Sequence, residues 1–286
     1  MSSESTSPAA DANASSTMLA VQNLTVSFPA FGSTVVEDIS FTIEKGRTVG
    51  LVGESGSGKS MSALAIMGLL PEGAEVSGSV AFWGDELLGL ADTAMRRLRG
   101  DRMAMIFQDP LSSLNPYYTV GFQIAEAYLA HRGGTRRHAL SLASEAMDHV
   151  RIPDAGRRVS HYPHQFSGGM RQRVMIAMAL VCQPDLVIAD EPTTALDVTV
   201  QAQILTLMSD LQDSTGAGML FITHDLAVVS EVADSIVVMR NGHTVEQGTA
   251  EAIFSRPSND YTRALLAATP RLDDVVELPE PIREAR

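Results

Sequence analysis

The segment Gly53-Glu54-Ser55-Gly56-Ser57-Gly58-Lys59-Ser60 meets every fixed position of the pattern GxxxxGK[ST]. A loop of this kind works between a buried strand and a helix. Its glycines let successive backbone N–H groups converge on one anion, and the helix that follows aims its positive N-terminus at the same charge. The flanks supply both elements: Thr48-Val49-Gly50-Leu51-Val52 reads as a short buried strand, and Met61 to Leu70 as a helix. A flexible Gly/Ser turn is the plain alternative, and these flanks count against it. Gly53, Glu54, Ser55, Gly56, Ser57 and Gly58 are therefore expected to cradle phosphate. Lys59 adds a point charge at the β- and γ-phosphates, and the Ser60 hydroxyl takes one Mg²⁺ position.

Three further apolar runs end in polar residues that suit the same chemistry. Leu186-Val187-Ile188-Ala189 leads into Asp190-Glu191-Pro192, as a central parallel strand would, and such sheets place ligands at the C-terminal ends of their strands. Asp190 would orient Mg²⁺ through its water shell. Glu191, pointing the other way, could polarise the attacking water as general base. The run Gly218 to Thr223 ends at His224, a donor able to reach a γ-phosphate, and Met103 to Phe107 ends at Gln108, whose amide can sense Mg²⁺ or the water. Taken singly, His224 and Gln108 are ordinary loop residues.

The order of these elements, with Phe107-Gln108-Asp109-Pro110, Phe166-Ser167-Gly168-Gly169-Met170-Arg171-Gln172-Arg173, Asp190 to Asp197 and Thr223-His224-Asp225, resembles the ATP-binding cassette (ABC) family over residues 18–270. Phe107 to Pro116 (FQDPLSSLNP) and Tyr162 to Leu180 (YPHQFSGGMRQRVMIAMAL) resemble its oligopeptide, dipeptide and nickel importer branch. The resemblance implies an α/β fold: a P-loop NTPase core with a mainly parallel sheet, an antiparallel β subdomain and a helical subdomain. It implies ATP and Mg²⁺ as ligands. It assigns Gln108 to the Q-loop, Ser167, Gly168, Gly169 and Gln172 to the signature, Ala195 to Asp197 to the D-loop and His224 to the switch.

In the family, the signature of one subunit contacts ATP held by the phosphate loop of another, so Ser167 and Gly169 would serve a partner's nucleotide. Met170 departs from the glutamine that many members carry after the glycines, and Gln172 would take its place. A base-stacking aromatic is expected on the early strand; Phe28 matches by position and Phe31 competes. The implied partners are two transmembrane permease subunits, a second and non-identical ABC ATPase subunit, and indirectly an extracytoplasmic solute-binding protein. The implied place is the cytoplasmic face of the cell membrane, peripheral through the permeases.

Composition agrees without naming anything. A chain of 286 residues, 45% hydrophobic and 19% charged, suffices for one α/β domain with sub-lobes. Its net charge of −13 argues against non-specific nucleic-acid binding. The single cysteine, Cys182, excludes a disulfide within the chain and reads as a small core residue. No apolar stretch approaches the roughly 20 residues that cross a bilayer.

Residues 1–17, rich in Ser and Ala, read as a disordered tail. Leu19 to Ile43 alternates apolar and polar residues about a turn at Gly32-Ser33, and Val76 to Trp83 adds a further antiparallel strand. Residues 112–178 read as the helical subdomain, and alternating strands and helices follow Asp185. Residues 271–286 read as a solvated tail. Members of the peptide branch often carry clustered cysteines in this region that hold an iron–sulfur cluster; none follows Pro270, and no such centre is expected.

The expected function is ATP hydrolysis in a two-cassette sandwich that drives uptake of peptides or a similar small solute. The alternatives are an export cassette, a repair or translation ATPase, and a small-molecule kinase using the same loop. A long heptad coil would mark the repair class and a second cassette the translation class; neither is seen.

Overall fold

The computed structural model describes residues 17–194 and 196–268. The first residues build an antiparallel sheet from β1 (Thr17–Phe28), β2 (Ser33–Glu44), and, later in the chain, β4 (Glu75–Phe82) and β5 (Asp85–Glu86), in the order β2-β1-β4-β5. The turn between β1 and β2 closes at Gly32, whose φ of +59° is a left-handed conformation that glycine adopts without strain.

The second sheet is mainly parallel. It contains β3 (Thr48–Val52), β6 (Met103–Ile106), β7 (Leu186–Asp190), β8 (Gly218–Thr223), β9 (Ser235–Arg240) and β10 (His243–Thr249), in the order β10-β9-β3-β8-β7-β6. Only β10 runs antiparallel to its neighbour. Every residue of β3, β7 and β8 is buried, which is why these strands are continuous apolar runs rather than alternating ones.

Strand alternation then sorts side chains into two cores. Val187 and Ala189 of β7 join Met219 and Phe221 of β8 and Ile236 and Val238 of β9 on one face. Leu186, Ile188, Leu220, Ile222, Val237 and Met239 fill the other, beneath the antiparallel sheet.

The first phosphate-side helix, α1 (Lys59–Ile66), lies with that second core, as does α2 (Asp92–Leu98). α1 is shorter than the sequence implies. It ends at Ile66 because Gly68 takes φ +61°, and Arg99 donates to the carbonyls of Met67 (2.7 Å) and Gly68 (2.8 Å), satisfying the helix end. The helical subdomain comprises α3 (Pro110–Ser113), α4 (Val120–Arg132), α5 (Arg136–His149), α6 (Ala155–Arg158) and α7 (Gly168–Leu180), all between Gln108 and β7. Its apolar faces, through Ile124, Ala143, Met147 and Ile176, join the first core. Cys182 is buried there beside α4, and burial pushes its thiol up in pKa.

The chain returns through α8 (Val198–Thr215), α9 (Leu226–Val232), α10 (Ala250–Ser255) and α11 (Asp260–Ala268). Asp197 caps α8 by accepting from Val200 N at 3.0 Å, and Gly216 closes it at φ +67°. Of the two expected tails, residues 1–16 and 269–286 lie outside the described residues, as does the expected absence of an iron–sulfur centre. Thr17 corrects the first tail's boundary: it already pairs with Glu44 in the β1–β2 ladder. Among the described residues no helix is long and apolar enough to cross a membrane.

Candidate active site

The phosphate loop joins β3 to α1, and its bend depends on glycine. Gly58 sits at φ +101°, and a Cβ there would stand 2.5 Å from the Val35 carbonyl oxygen. Lys59, the first residue of α1, is only 4% exposed. Its ammonium folds back onto the loop, donating to the carbonyls of Gly53 (2.7 Å) and Glu54 (2.8 Å). Burial lowers the Lys59 pKa, while the carboxylates of Glu191, Asp190 and Glu54 act to raise it.

Ser60 and Asp190 meet at the floor. The Ser60 hydroxyl donates to Asp190 Oδ1 at 3.0 Å. Asp190 is 7% exposed, and burial, reinforced by the charge of Glu191, raises its pKa against the opposing effects of Ser60 and Lys59. One hydroxyl and one carboxylate are hard oxygen donors, and among the described residues no group of three or more His, Cys, Asp or Glu side chains could hold a metal. That sparse donor set fits Mg²⁺, which keeps waters and takes substrate phosphates as its other ligands, better than a cation that demands an all-protein cage.

Glu191 stands one residue further on, at φ +47°, an uncommon conformation for a side chain of this size. Its amide still donates to Ile222 O at 2.9 Å, which ties the strained residue to the end of β8. Three side chains converge on its carboxylate. Gln108 Nε2 (2.9 Å) and Thr194 Oγ1 (2.8 Å) donate to Oε2, and His224 Nδ1 lies 3.3 Å from Oε1. These groups face the loop across a cavity of about 680 Å³, within the range of small-molecule sites. Glu54, Ser55, Gly56, Gly58, Lys59 and Ser60 line it on the loop's side, Gln108, Glu191, Thr194 and His224 on the other, and Val35, Met61 and Leu265 add apolar surface.

The structure therefore brings together the phosphate-loop residues Glu54 to Ser60, Gln108, Asp190, Glu191 and His224. It places the other expected residues elsewhere. Ser167 is exposed and caps α7, accepting from Met170 N at 3.4 Å; Gly168 and Gly169 form the first turn behind it, away from this chain's own cavity. Asp197 is exposed and occupied as the α8 cap.

Gln172 differs from Ser167 in being buried, 2% exposed within α7. Two turns of helix put residues 172–177 against the core while the capping residues stay outside. Phe28 is half-buried at the end of β1 and Phe31 is 83% exposed; neither lines the cavity. Ala195 lies outside the described residues. Sequence reasoning missed Thr194, whose place beside Glu191 in Glu191-Pro192-Thr193-Thr194 is its only signal, and Val35 and Leu265, which carry none.

The model of the family described as "ABC transporter" matches residues 36–194 of this chain. The chain belongs to the ABC transporter family. Among ABC proteins it is similar to the oligopeptide transport ATP-binding protein OppD of Haemophilus influenzae, 50% identical over 258 residues, which is 90% of this chain and 80% of that protein. It is 51% identical over 260 residues to the dipeptide transport ATP-binding protein DppD of Bacillus subtilis, covering 90% of this chain and 78% of that one. In three dimensions it resembles the ATP-binding cassette MJ0796, solved as a dimer in a post-hydrolysis state bound to ADP and Pi. The TM-score is 0.73 at 26% identity, over 82% of this chain and 99% of that one. The two sheets and the helical subdomain are thus those of an ABC ATPase cassette.

Proposed function

We propose that this chain is the ATP-hydrolysing subunit of an ABC importer that takes up peptides or a similar small solute. The observation that carries the reading is the Glu191 carboxylate, held by Gln108, Thr194 and His224 across the cavity from Lys59 and Ser60. The cargo class is supported by relatives near 50% identity whose names are those of oligopeptide and dipeptide transport ATP-binding proteins. Those names favour import over export, repair or translation.

Lys59 is engaged by the carbonyls of Gly53 and Glu54. Binding of the triphosphate would give the ammonium a charged acceptor in place of those carbonyls, and loop N–H groups would donate to the remaining phosphate oxygens. Ser60 and Asp190 would hold Mg²⁺, which supplies neutralisation of charge on the β- and γ-phosphates. Glu191 orients the attacking water and accepts its proton, while Gln108 and Thr194 fix the carboxylate and His224 donates to the γ-phosphate.

Ser167 and Gly169, outside the chain's own cavity, would complete the site of a second cassette. Asp197, past Glu191 in the chain, would serve the same pairing, and base stacking would fall to Phe28, which matches by position, with Phe31 as its competitor. The chain would act at the cytoplasmic face of the cell membrane with two permease subunits, a second and non-identical cassette, and an extracytoplasmic solute-binding protein.

The decisive experiment is co-expression with candidate permeases and a second cassette in vesicles. Peptide uptake should require ATP on the cassette side and should vanish in Ser167→Arg, while ATP binding to the isolated Ser167→Arg chain persists. Full turnover by a strict monomer carrying that substitution would refute the sandwich.

A further inference from the structure

One contact reaches the phosphate loop from far along the chain. The hydroxyl oxygen of Tyr261, in α11, accepts a hydrogen bond from Glu54 N at 3.2 Å. The same Glu54 residue offers its carbonyl oxygen to Lys59 Nζ (2.8 Å) and to Ser57 N (3.2 Å). Tyr261 is thus separated from the phosphate-binding ammonium by a single residue's backbone.

Tyr261 is itself firmly placed. It is 8% exposed, with the Arg240 guanidinium over its ring at 4.7 Å from the centroid. Its amide donates to Asn259 Oδ1 at 2.8 Å, and Glu246 on β10 accepts from Ser258 N (2.6 Å), Ser258 Oγ (2.7 Å) and Asn259 N (3.2 Å). One turn further on, Leu265 lines the nucleotide cavity. The start of α11 is therefore pinned to β10, and its next turn faces the ligand.

We propose that Tyr261 is a positioning residue for nucleotide binding: its hydroxyl holds the Glu54 peptide, and through it Lys59 and the entry to the loop, in the conformation that phosphate meets. This inference rests on the reading of residues 53–60 as the seat of the ATP phosphates. A loop of small residues gains affinity by being ordered before the ligand arrives, since ordering then costs nothing at binding. The tie acts on the bound ground state and the transition state alike. It touches neither Glu191 nor the attacking water, so it should affect nucleotide affinity and leave the chemical step alone.

Tyr261→Phe removes the oxygen and keeps the ring, the Arg240 contact and the packing. In the full-length chain, MgADP binding measured by calorimetry should weaken about threefold to tenfold, the factor expected for one hydrogen bond. In the permease-bound assembly the KM for ATP should rise by a similar factor while kcat stays within about twofold. Lys59→Ala is the reference and should abolish MgADP binding. If Lys59→Ala abolishes binding and Tyr261→Phe matches the wild type in Kd and KM, the positioning role is refuted alone. A fall in kcat at unchanged KM would refute it as well. If Lys59→Ala binds MgADP as the wild type does, the loop is not the nucleotide seat and the inference falls together with that reading.

Discussion

Gln108 and Glu191 are joined by a hydrogen bond of 2.9 Å that spans the C-terminal ends of the neighbouring strands β6 and β7. The carboxylate that would handle water is thereby linked to the residue from which the helical subdomain begins. The bond also has a direction: the amide donates and the carboxylate oxygen accepts.

Replacing that carboxylate should separate binding from chemistry. Glu191→Gln keeps the shape of the side chain and an acceptor for Thr194, but has no base. Steady-state ATPase activity should drop by about 10²- to 10⁴-fold, as expected for loss of a general base, with MgATP retention intact by filter binding. Turnover within twofold of the wild type would remove Glu191 from the mechanism.

Thr194 provides a quieter test of the same carboxylate. Its hydroxyl is one of two firm donors to Glu191 Oε2, and Thr194→Val removes it at nearly constant volume. We expect kcat to fall about tenfold, the worth of one charge-assisted hydrogen bond, with the KM for ATP unchanged. A shift confined to KM would mean that Thr194 touches nucleotide and does not orient the base.

Asp190 should show a conflict between stability and activity. Burial raises its pKa above the ordinary 3.8, so the folded state disfavours the charge. The cost is present at every pH above the raised value and is relieved as pH falls through it. At neutral pH Asp190→Asn should accordingly melt higher in the nucleotide-free state, by about 2–4 °C if about 1 kcal/mol is recovered, while ATPase activity is lost. For the wild type, the acid limb of the rate profile should lie above the usual aspartate range, because protonated Asp190 cannot serve a cation. Calorimetric melting at pH 7 that places Asp190→Asn below the wild type would contradict the assignment.

Gly169 carries two constraints that a double substitution can separate. A Cβ there would stand 2.5 Å from Val200 Cγ1, so Gly169→Ala should destabilise the fold by roughly 1–3 kcal/mol through overpacking of α7 on α8. Adding Val200→Ala should restore most of the melting temperature. If the signature face also serves a second cassette, the repaired double variant should still pair poorly in MgATP, which analytical ultracentrifugation would reveal. Full pairing would leave Gly169 with a packing role alone.

The sheet was the most legible part of this chain. Thr48–Val52 and Gly218–Thr223 have the bounds that their apolar runs imply, because strands buried on both faces leave no ambiguity of phase. Most of the loop and the strand-end residues Gln108, Asp190, Glu191 and His224 were legible for a related reason: parallel strands deliver their C-terminal ends to one edge. Legibility ended where a neighbour decides. Gly68 ended α1 early under the grip of Arg99, and Gln172 is buried because α7 is enclosed on all sides from residue 172 to residue 177. Tyr261 lies 207 residues from Glu54, and no local pattern announces a bond over that separation.

The position of β6 has a mechanical consequence. It is an edge strand whose one partner strand among the described residues is β7, whereas β3, which delivers the phosphate loop, is clamped between β8 and β9. A pull on the helices beyond Gln108 would therefore load the rim of the sheet before its centre, reaching the Gln108–Glu191 bond ahead of the loop that β3 delivers.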